Sequence, residues 1–127
     1  MKTLKDFGLK VEGIFPQREY DENGNVTHHK RPSGFEWWKE YDENGNEIHY
    51  KDSKGFERWK EYDENGNEIH YKNSNGSEWW KEYDEKGNEI YHKDSNGFEV
   101  WLLEEGRLEL IHGKYYLDGV QCVATDK

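Results

Sequence analysis

The chain has 127 residues, of which 31% are hydrophobic and 36% are charged, and its formal net charge at pH 7 is −10. This length fits one domain, residues 1–127, and so acidic a chain argues against direct binding of nucleic acid, which relies on basic patches. Aromatic residues make up 16% of the chain, a content that disordered chains lack. We therefore expect a folded protein with a small core of aromatic rings.

Two features of the sequence bear on location and redox chemistry. The first residues, MKTLKDFGLKVEG, lack the apolar run of a secretory signal, and no stretch is apolar enough for a membrane span. We therefore expect a cytoplasmic protein without membrane partners, located in the host cell if a phage encodes it. Cys122 is the single cysteine, which excludes an internal disulfide and a cysteine metal cluster.

A 21-residue repeat occupies residues 20–103, with predicted caps at residues 1–19 and 104–127 that are richer in Leu, Ile and Val. Four copies are recognisable because the same residue types return at the same spacing. The recurring positions are Tyr20, Tyr41, Tyr62 and Tyr83; Gly24, Gly45, Gly66 and Gly87; Gly34, Gly55, Gly76 and Gly97; and Trp38, Trp59, Trp80 and Trp101.

Each repeat contains two turn signals separated by runs of β-branched and aromatic residues. D-E-N-G begins at Asp42 and D-S-K-G begins at Asp52, and the glycine of each supplies a positive φ. The runs between them lack a helical period and read as strands. Further strands are predicted at 98–103, 107–111, 115–117 and 120–123. The predicted fold is all-β: an antiparallel meander of stacked β-hairpins with short capping strands.

The turns also predict a register. A D-S-K-G hairpin with a bulge at Gly55 places Asp52 opposite Phe56 and His49 opposite Trp59. For D-E-N-G we expect a four-residue loop that pairs Tyr41 with Asn46 and brings Trp37 opposite Tyr50. A three-residue loop flips this facing unless a β-bulge restores it, and that alternative register stays open. One face then collects the expected core residues Ile48, Tyr50, Phe56 and Tyr62, with Trp37 or Trp79 in corresponding slots. The other face collects His49, Lys51, Glu57, Trp59 and Glu61.

The succession of YD-x-x-GN, a D-x-x-G turn, aromatic residues and the next YD resembles the YD repeat of the RHS family, from Tyr20 to about Leu103. In that family the repeats form long spiralling β-sheets that wall in a toxin domain. Four repeats are too few to enclose a domain. The resemblance therefore implies the hairpin-stacking fold and not the shell function.

Two further resemblances concern function. Short acidic arrays of this kind look like small proteins of phages and mobile elements, some of which are counter-defence factors such as anti-CRISPR inhibitors. The array is also similar to choline- and glucan-binding wall repeats, which have NG turns and paired aromatics such as Trp37-Trp38 and Trp79-Trp80. Those wall repeats are secreted, and they have no counterpart of the YD step.

The sequence gives little support for a metal site or a catalytic site. His28, His49 and His70 recur with the repeat, but residues two strands apart lie about 9–10 Å from each other, too far to share an ion. D-E-N-G-N-E lacks the spacing of an EF-hand loop. No nucleophile elbow, P-loop or zinc-protease motif occurs, and Cys122 with His112 is too little for a catalytic pair. We predict no enzyme activity, no metal and no cofactor.

The tryptophan column is the most informative feature. In the predicted register it lies opposite the core face among repeated glutamates, and two interpretations remain open: partial burial of both faces in a rolled sheet, or an exposed binding ladder. Trp anchors interfaces, and carboxylates complement a basic groove. The candidate binding residues are Trp38, Trp59, Trp80, Trp101, Glu36, Glu40, Glu57, Glu61, Glu78 and Glu82.

The functional hypothesis is therefore a non-enzymatic acidic inhibitor that blocks a basic, nucleic-acid-handling protein, with the repeated carboxylates imitating a phosphate backbone. One alternative is a carbohydrate- or choline-binding module that uses aromatic slots. The other is a structural fragment of a YD-repeat scaffold. Exposed edge strands at the ends of the array predict possible self-association.

Overall fold

The computed structural model of the protein describes residues 1–10 and 17–125. Twelve antiparallel strands form one sheet, and each strand lies beside its neighbours in the sequence. This order confirms the predicted all-β meander of stacked hairpins. The strands are β1 (Gln17–Tyr20), β2 (Val26–Lys30), β3 (Glu36–Tyr41), β4 (Glu47–Asp52), β5 (Glu57–Tyr62), β6 (Glu68–Asn73), β7 (Glu78–Tyr83), β8 (Glu89–Asp94), β9 (Glu99–Leu102), β10 (Arg107–Ile111), β11 (Lys114–Leu117) and β12 (Val120–Gln121).

Both turns of the repeat have the same backbone geometry. In D-E-N-G, the Asp42 N–H donates to the Asn46 carbonyl at 2.9 Å, and Gly45 has a φ of +85°. In D-S-K-G, the Asp52 N–H donates to the Phe56 carbonyl at 3.0 Å. A side chain is strained at so positive a φ, and glycine is therefore the residue that each turn requires.

An aspartate fastens each D-E-N-G turn. The Asp42 carboxylate accepts the backbone N–H groups of Asn44 and Asn46, both at 2.9 Å. These backbone hydrogen bonds lower the pKa of Asp42, because they favour the charged carboxylate. The pKa of the equivalent aspartate in the other copies is lowered for the same reason. These aspartates are Asp21, Asp63 and Asp84.

The register of the D-E-N-G hairpin differs from the predicted one. The expected four-residue loop, with Tyr41 opposite Asn46, is wrong. The loop has three residues, Tyr41 pairs with Glu47, and Trp37 lies opposite Asp52. A three-residue loop on its own would send the two arms of the hairpin to opposite faces, because side chains alternate with a period of two.

A β-bulge returns the side chains of β3 and β4 to the faces on which they were expected. Glu40 pairs with His49, which leaves Ile48 without an opposite residue. The extra residue shifts the pairing by one, so Trp37 and Tyr50 share a face as expected, with ring centroids 6.3 Å apart. The same bulge recurs between Glu19 and Tyr20, between Glu61 and Tyr62, and between Glu82 and Tyr83.

The sheet is a single layer with two faces. The Trp37 face carries Arg18, His29, Trp37, Lys39, Glu47, Tyr50, Arg58, Lys60, Tyr71, Trp79, Lys81 and His92. The Trp38 face carries Glu19, His28, Glu36, Trp38, Glu40, His49, Lys51, Glu57, Trp59, Glu61, His70, Lys72, Glu78, Trp80, Glu82, Tyr91, Lys93, Glu99 and Trp101.

The expected buried core is not present in the residues that the structure describes, since none of their hydrophobic side chains is fully buried. Side chains of the same layer cover the rings instead. On the Trp37 face, the Lys39 Nζ lies 4.6 Å from the centroid of Trp37, and the Arg58 Cζ lies 4.5 Å from that of Tyr50. The aliphatic stems of such residues shield aromatic surface while their charges stay in water.

The ends of the array differ from each other. At the N-terminal end, a 3-10 helix at Leu4–Phe7 leaves Leu4, Phe7 and Leu9 exposed, and residues 11–16 of the predicted cap lie outside the described residues. At the C-terminal end the predicted strands are confirmed, although the last one spans only Val120–Gln121. Within the described residues, no helix is both long and apolar enough to cross a membrane.

Candidate functional site

The Trp38 face is organised in rows that run across five strands. In one row, Glu40 of β3 pairs with His49, His49 with Trp59, Trp59 with Lys72, and Lys72 with Glu78 of β7. Each row therefore reads Glu, His, Trp, Lys, Glu. Two other rows are complete. One consists of Glu19, His28, Trp38, Lys51 and Glu57. The other consists of Glu61, His70, Trp80, Lys93 and Glu99.

The histidine of each row lies between two carboxylates. His49 Nε2 is 2.6 Å from Glu57 Oε2 and its Nδ1 is 3.4 Å from Glu40 Oε1. The imidazole also stacks on Trp59, with centroids 5.6 Å apart and an interplanar angle of 18°. The imidazole is thus positioned by two carboxylates and one aromatic ring.

His28 shows the electrostatic effect of this arrangement. Its ring nitrogens lie 3.1 Å from a Glu19 oxygen and 2.9 Å from a Glu36 oxygen, and its ring stacks on Trp38 at 5.0 Å. The hydrogen bond with Glu19, followed by that with Glu36, raises the pKa of His28 despite partial burial. The charged form of His28 is thus favoured on this face.

The last row departs from the pattern. Tyr91 takes the place of histidine and donates its hydroxyl to Glu99 Oε2 at 2.7 Å. Burial, together with this hydrogen bond, raises the pKa of Tyr91 to about 12. The row continues through Trp101 to Leu108 and Leu117 instead of Lys and Glu. The charged pattern therefore ends at β9, and apolar residues close this end of the face.

All ten predicted binding residues lie on this face. Glu36, Glu57 and Glu78 each hold a histidine Nε2, at 2.9, 2.6 and 2.7 Å. The glutamates at the other end of each row point into solvent, with side chains 69% exposed in Glu40 and 68% in Glu61. The glutamates thus form two sets, one that orients the histidines and one that presents charge.

The tryptophans are neither buried nor fully open. Trp38 and Trp59 are each 39% exposed and Trp80 is 36% exposed, whereas Trp101 is half-buried. A histidine stacks on one ring face of Trp80 at 5.2 Å, and Lys93 approaches the ring at 5.9 Å. With ring faces covered, the exposed part lacks the open aromatic platform that a stacked sugar ring requires.

Equivalent residues of successive repeats are not level with each other across the sheet. Trp38 is level with Glu57, two strands away, whereas its equivalent Trp59 lies two residues further along β5. Two strand spacings of about 4.8 Å and two residues of about 3.3 Å each separate equivalent residues by about 12 Å.

The D-E-N-G turns line one long edge of this sheet, which we call the acidic edge. Each repeat contributes three carboxylates to it, two from the turn and one from the exposed glutamate just before the turn. These residues are Glu19, Asp21, Glu22, Glu40, Asp42, Glu43, Glu61, Asp63, Glu64, Glu82, Asp84 and Glu85. The opposite edge carries mixed charges, among them Arg31, Asp52, Lys54 and Asp94.

A shallow depression of about 660 Å³ adjoins the acidic edge between the last two rows. Trp80 and Tyr91 supply aromatic surface to it, and Glu61, Glu82 and Asp63 supply carboxylates. Lys81 and Lys93 line it as well, so the depression carries both signs of charge beside its aromatic surface.

The histidines and lysines of the rows, and the row glutamates Glu19 and Glu99, were not predicted as site residues. Alternation along each strand places them on the same face as the tryptophans, but their order within a row depends on the bulges. In the described residues, no group of three His, Cys, Asp or Glu side chains is arranged to hold a metal ion. Each of these imidazoles contacts one glutamate of its own row and one of the neighbouring strand position, through its two different ring nitrogens, so the two carboxylates do not converge on one point.

No protein-family model matches the chain, and no curated protein does.

Proposed function

We propose that the protein is a non-enzymatic inhibitor that binds a basic, nucleic-acid-handling protein through the acidic edge and the Trp38 face. The observation that carries the proposal is the repeated set of three carboxylates along the acidic edge. The turn aspartates of this set have lowered pKa values, so their charge persists well below neutral pH. The partner's basic groove normally holds a nucleic acid and is blocked when this surface occupies it.

Charge spacing supports the mimicry of one nucleic-acid strand. Three carboxylates per repeat, with repeats about 12 Å apart, give one negative charge for every about 4 Å of edge. A single DNA strand carries one phosphate per about 3.4 Å, and a duplex carries twice that density. The acidic edge therefore resembles a single strand in linear charge density, and we propose a partner that binds single-stranded nucleic acid.

The rows add anchoring to this charge. Exposed edges of Trp38, Trp59 and Trp80 lie beside carboxylates at regular intervals, and tryptophan is enriched at the energetic centres of protein interfaces. Basic residues of the partner reach the outer glutamates, and its apolar stems contact the tryptophan edges. As a biological role, we propose counter-defence of the kind that phages and mobile elements use against host nucleases.

The test is capture of heparin-binding bacterial proteins on the immobilised protein after nuclease treatment, followed by competition. We expect a basic protein that is released by salt and displaced by single-stranded DNA more effectively than by duplex DNA. Both treatments act because the contact is a phosphate-like charge array. An empty capture, or a captured protein that single-stranded DNA does not displace, contradicts the proposal.

A matched pair of variants locates the contact. Glu40→Gln with Glu61→Gln removes two charges from the acidic edge, whereas Asp52→Asn with Asp94→Asn removes two charges from the opposite edge, where the third repeat has Asn73. We expect the first pair to weaken the dissociation constant for the captured partner about tenfold, or about 1.4 kcal/mol, and the second pair to leave it nearly unchanged. Equal effects mean that net charge alone, and not this edge, is responsible.

A further inference from the structure

The first loop of the opposite edge breaks the acidic pattern of the repeat. Its residues are Arg31, Pro32 and Ser33, at positions where later repeats have Asp52-Ser-Lys, Asn73-Ser-Asn and Asp94-Ser-Asn. Arg31 thus stands where every later copy has an aspartate or asparagine. Lys54 of the next loop on this edge is also basic, whereas the two loops after it have Asn75 and Asn96.

These two cations approach the same aromatic ring. The Arg31 Cζ lies 4.8 Å from the centroid of Phe35, and the Lys54 Nζ lies 5.7 Å from it. Both side chains are exposed, while Phe35 is half-buried. The ring therefore holds two positive charges close together at the rim of the Trp37 face.

A depression of about 840 Å³ opens beside this pair of cations. Phe35, Trp37 and Tyr50 form its aromatic surface, and Ser33 and Ser53 contribute hydroxyl groups. None of its eight lining residues is acidic, although the chain has 28 acidic residues. The depression is therefore a basic and aromatic site on an acidic protein.

The charged groups around the depression are accounted for by direct contacts. The Asp52 carboxylate accepts the Tyr50 hydroxyl at 3.1 Å and the Lys54 backbone N–H at 2.9 Å, so hydrogen bonds of its own hairpin already occupy it. Lys39 lies over Trp37 and pairs with Glu47 at 3.4 Å. Arg31 and Lys54 are in contact with no carboxylate among the described residues.

A neighbouring histidine responds to the same positive potential. His29 stacks on Trp37 at 5.4 Å and accepts a hydrogen bond from the Arg18 Nε at 3.1 Å. Partial burial, and then the charges of Arg18 and Arg31, lower the pKa of His29. This corner of the Trp37 face therefore disfavours additional positive charge.

We propose that this depression binds a small anionic ligand consisting of a planar aromatic ring and one phosphate group, the chemistry of a nucleoside monophosphate. Arg31 and Lys54 contact the phosphate, with Arg31 able to donate two parallel hydrogen bonds. The ring of the ligand contacts the parts of Phe35, Trp37 and Tyr50 that line the depression and that the cations over these rings leave open. A longer polyanion is repelled by the net charge of the chain, which limits the site to ligands of low charge.

The probe is adenosine monophosphate, and the signals are the indole N–H of Trp37 and the backbone amides of Ser33 and Lys54 in a two-dimensional NMR titration. Adenosine and inorganic phosphate are titrated separately as the two halves of the probe. We expect saturable shifts with adenosine monophosphate and at least tenfold weaker binding of either half. Equal binding of inorganic phosphate, or no shift up to about 10 mM nucleotide, which would saturate a millimolar site, overturns the proposal.

The repeat supplies matched variants. Arg31→Asp with Lys54→Asn introduces the residues that later copies have, so the fold is retained, and we expect the affinity for adenosine monophosphate to fall at least tenfold. The reverse change is made 42 residues later, where the slot has Trp79 and His92 but lacks equivalents of Arg31 and Lys54: Asn73→Arg, Ser77→Phe, His92→Tyr and Asn96→Lys. We expect this variant to gain a second site. Unchanged binding in the first variant overturns the proposal.

Discussion

The two faces of the sheet share the same strands but use charge in different ways. On the Trp37 face, cations stand over aromatic rings and pair with shielded carboxylates: Arg58 makes two hydrogen bonds to Glu47, at 2.8 and 3.0 Å. On the Trp38 face, histidines stack on the tryptophans and the outer glutamates reach solvent. Alternation along one strand thus separates a face that stabilises the layer from a face that presents charge.

Two adjacent residues of β2 show how far this separation extends. His28 lies on the Trp38 face between Glu19 and Glu36, which raise its pKa. His29 lies on the Trp37 face, where partial burial and two arginines lower its pKa. Their Cα atoms are one residue apart, yet they experience opposite electrostatic potentials, because the sheet is only one layer thick and each face has its own set of charges.

The strongest test of the two-face arrangement is insertion of one alanine between His49 and Tyr50. Strand β4 then has a second extra residue opposite β3, which turns Tyr50 and Asp52 to the Trp38 face. We expect a loss of more than about 4 kcal/mol in the free energy of unfolding, measured by chemical denaturation. Deletion of Ile48 is the control, because it removes the unmatched residue and leaves Glu40 opposite His49, and it should cost only about 2 kcal/mol; a similar loss in both contradicts the role of strand alternation.

Two neighbouring tryptophans of β7 allow the contributions of the two faces to stability to be compared directly. Trp79 lies between Tyr71 and His92, at 5.7 and 6.3 Å, with Lys81 4.6 Å from its centroid. Trp80 is more exposed and stacks mainly on one histidine. We expect Trp79→Ala to cost about 3 kcal/mol and Trp80→Ala about 1.5 kcal/mol of unfolding free energy. Equal costs mean that the Trp38 face contributes as much to stability as the Trp37 face.

The smallest expected effect is a difference in pKa between His28 and His29, measured by NMR titration of their imidazole protons. His28 should titrate above the ordinary histidine pKa of about 6.5, and His29 below it. The stabilising contribution of His28 is therefore fully present below about pH 6.5 and is lost as the pH rises through its folded pKa. His29 acts in the opposite sense, and its cost develops as the pH falls below about 6.5.

A single charge change checks the origin of this difference. Glu19→Gln removes the larger cause of the raised pKa of His28, so we expect that pKa to fall while the His29 titration stays unchanged. The matched control is Glu22→Gln in the adjoining turn, which should leave both titrations unchanged. If Glu19→Gln shifts both histidines equally, the two faces are not electrostatically separate.

Much of the fold follows from local sequence. Glycines and aspartates at fixed spacing predict the turns, and alternation between them predicts which residues share a face with Trp37 or Trp38. The preferred loop was wrong because a four-residue loop and a three-residue loop with a bulge both satisfy D-E-N-G, and only packing across neighbouring strands selects between them. The expected core was wrong for a related reason: aromatic content predicts burial, whereas Lys39 and Arg58 cover the rings without a second layer.

The candidate surface was predicted as a set of residues but not as an arrangement. The ten tryptophans and glutamates were identified because they recur with the repeat and share strand parity. The histidine between two glutamates was missed, because Glu40, His49 and Glu57 come from three strands and become neighbours only through the bulged register. The binding roles proposed for these residues stay predictions until the capture and variant experiments are done.

Equivalent residues of successive repeats are offset along the strands, and this offset determines how many complete rows the protein presents to a partner. A complete row takes five strands, so no single repeat contains one, and the present array has three. Insertion of one further 21-residue unit adds two strands and one complete row, and leaves both ends of the sheet as they are. Duplication of repeats therefore changes the number of contacts available to a partner in whole steps, without altering the chemistry of any one of them.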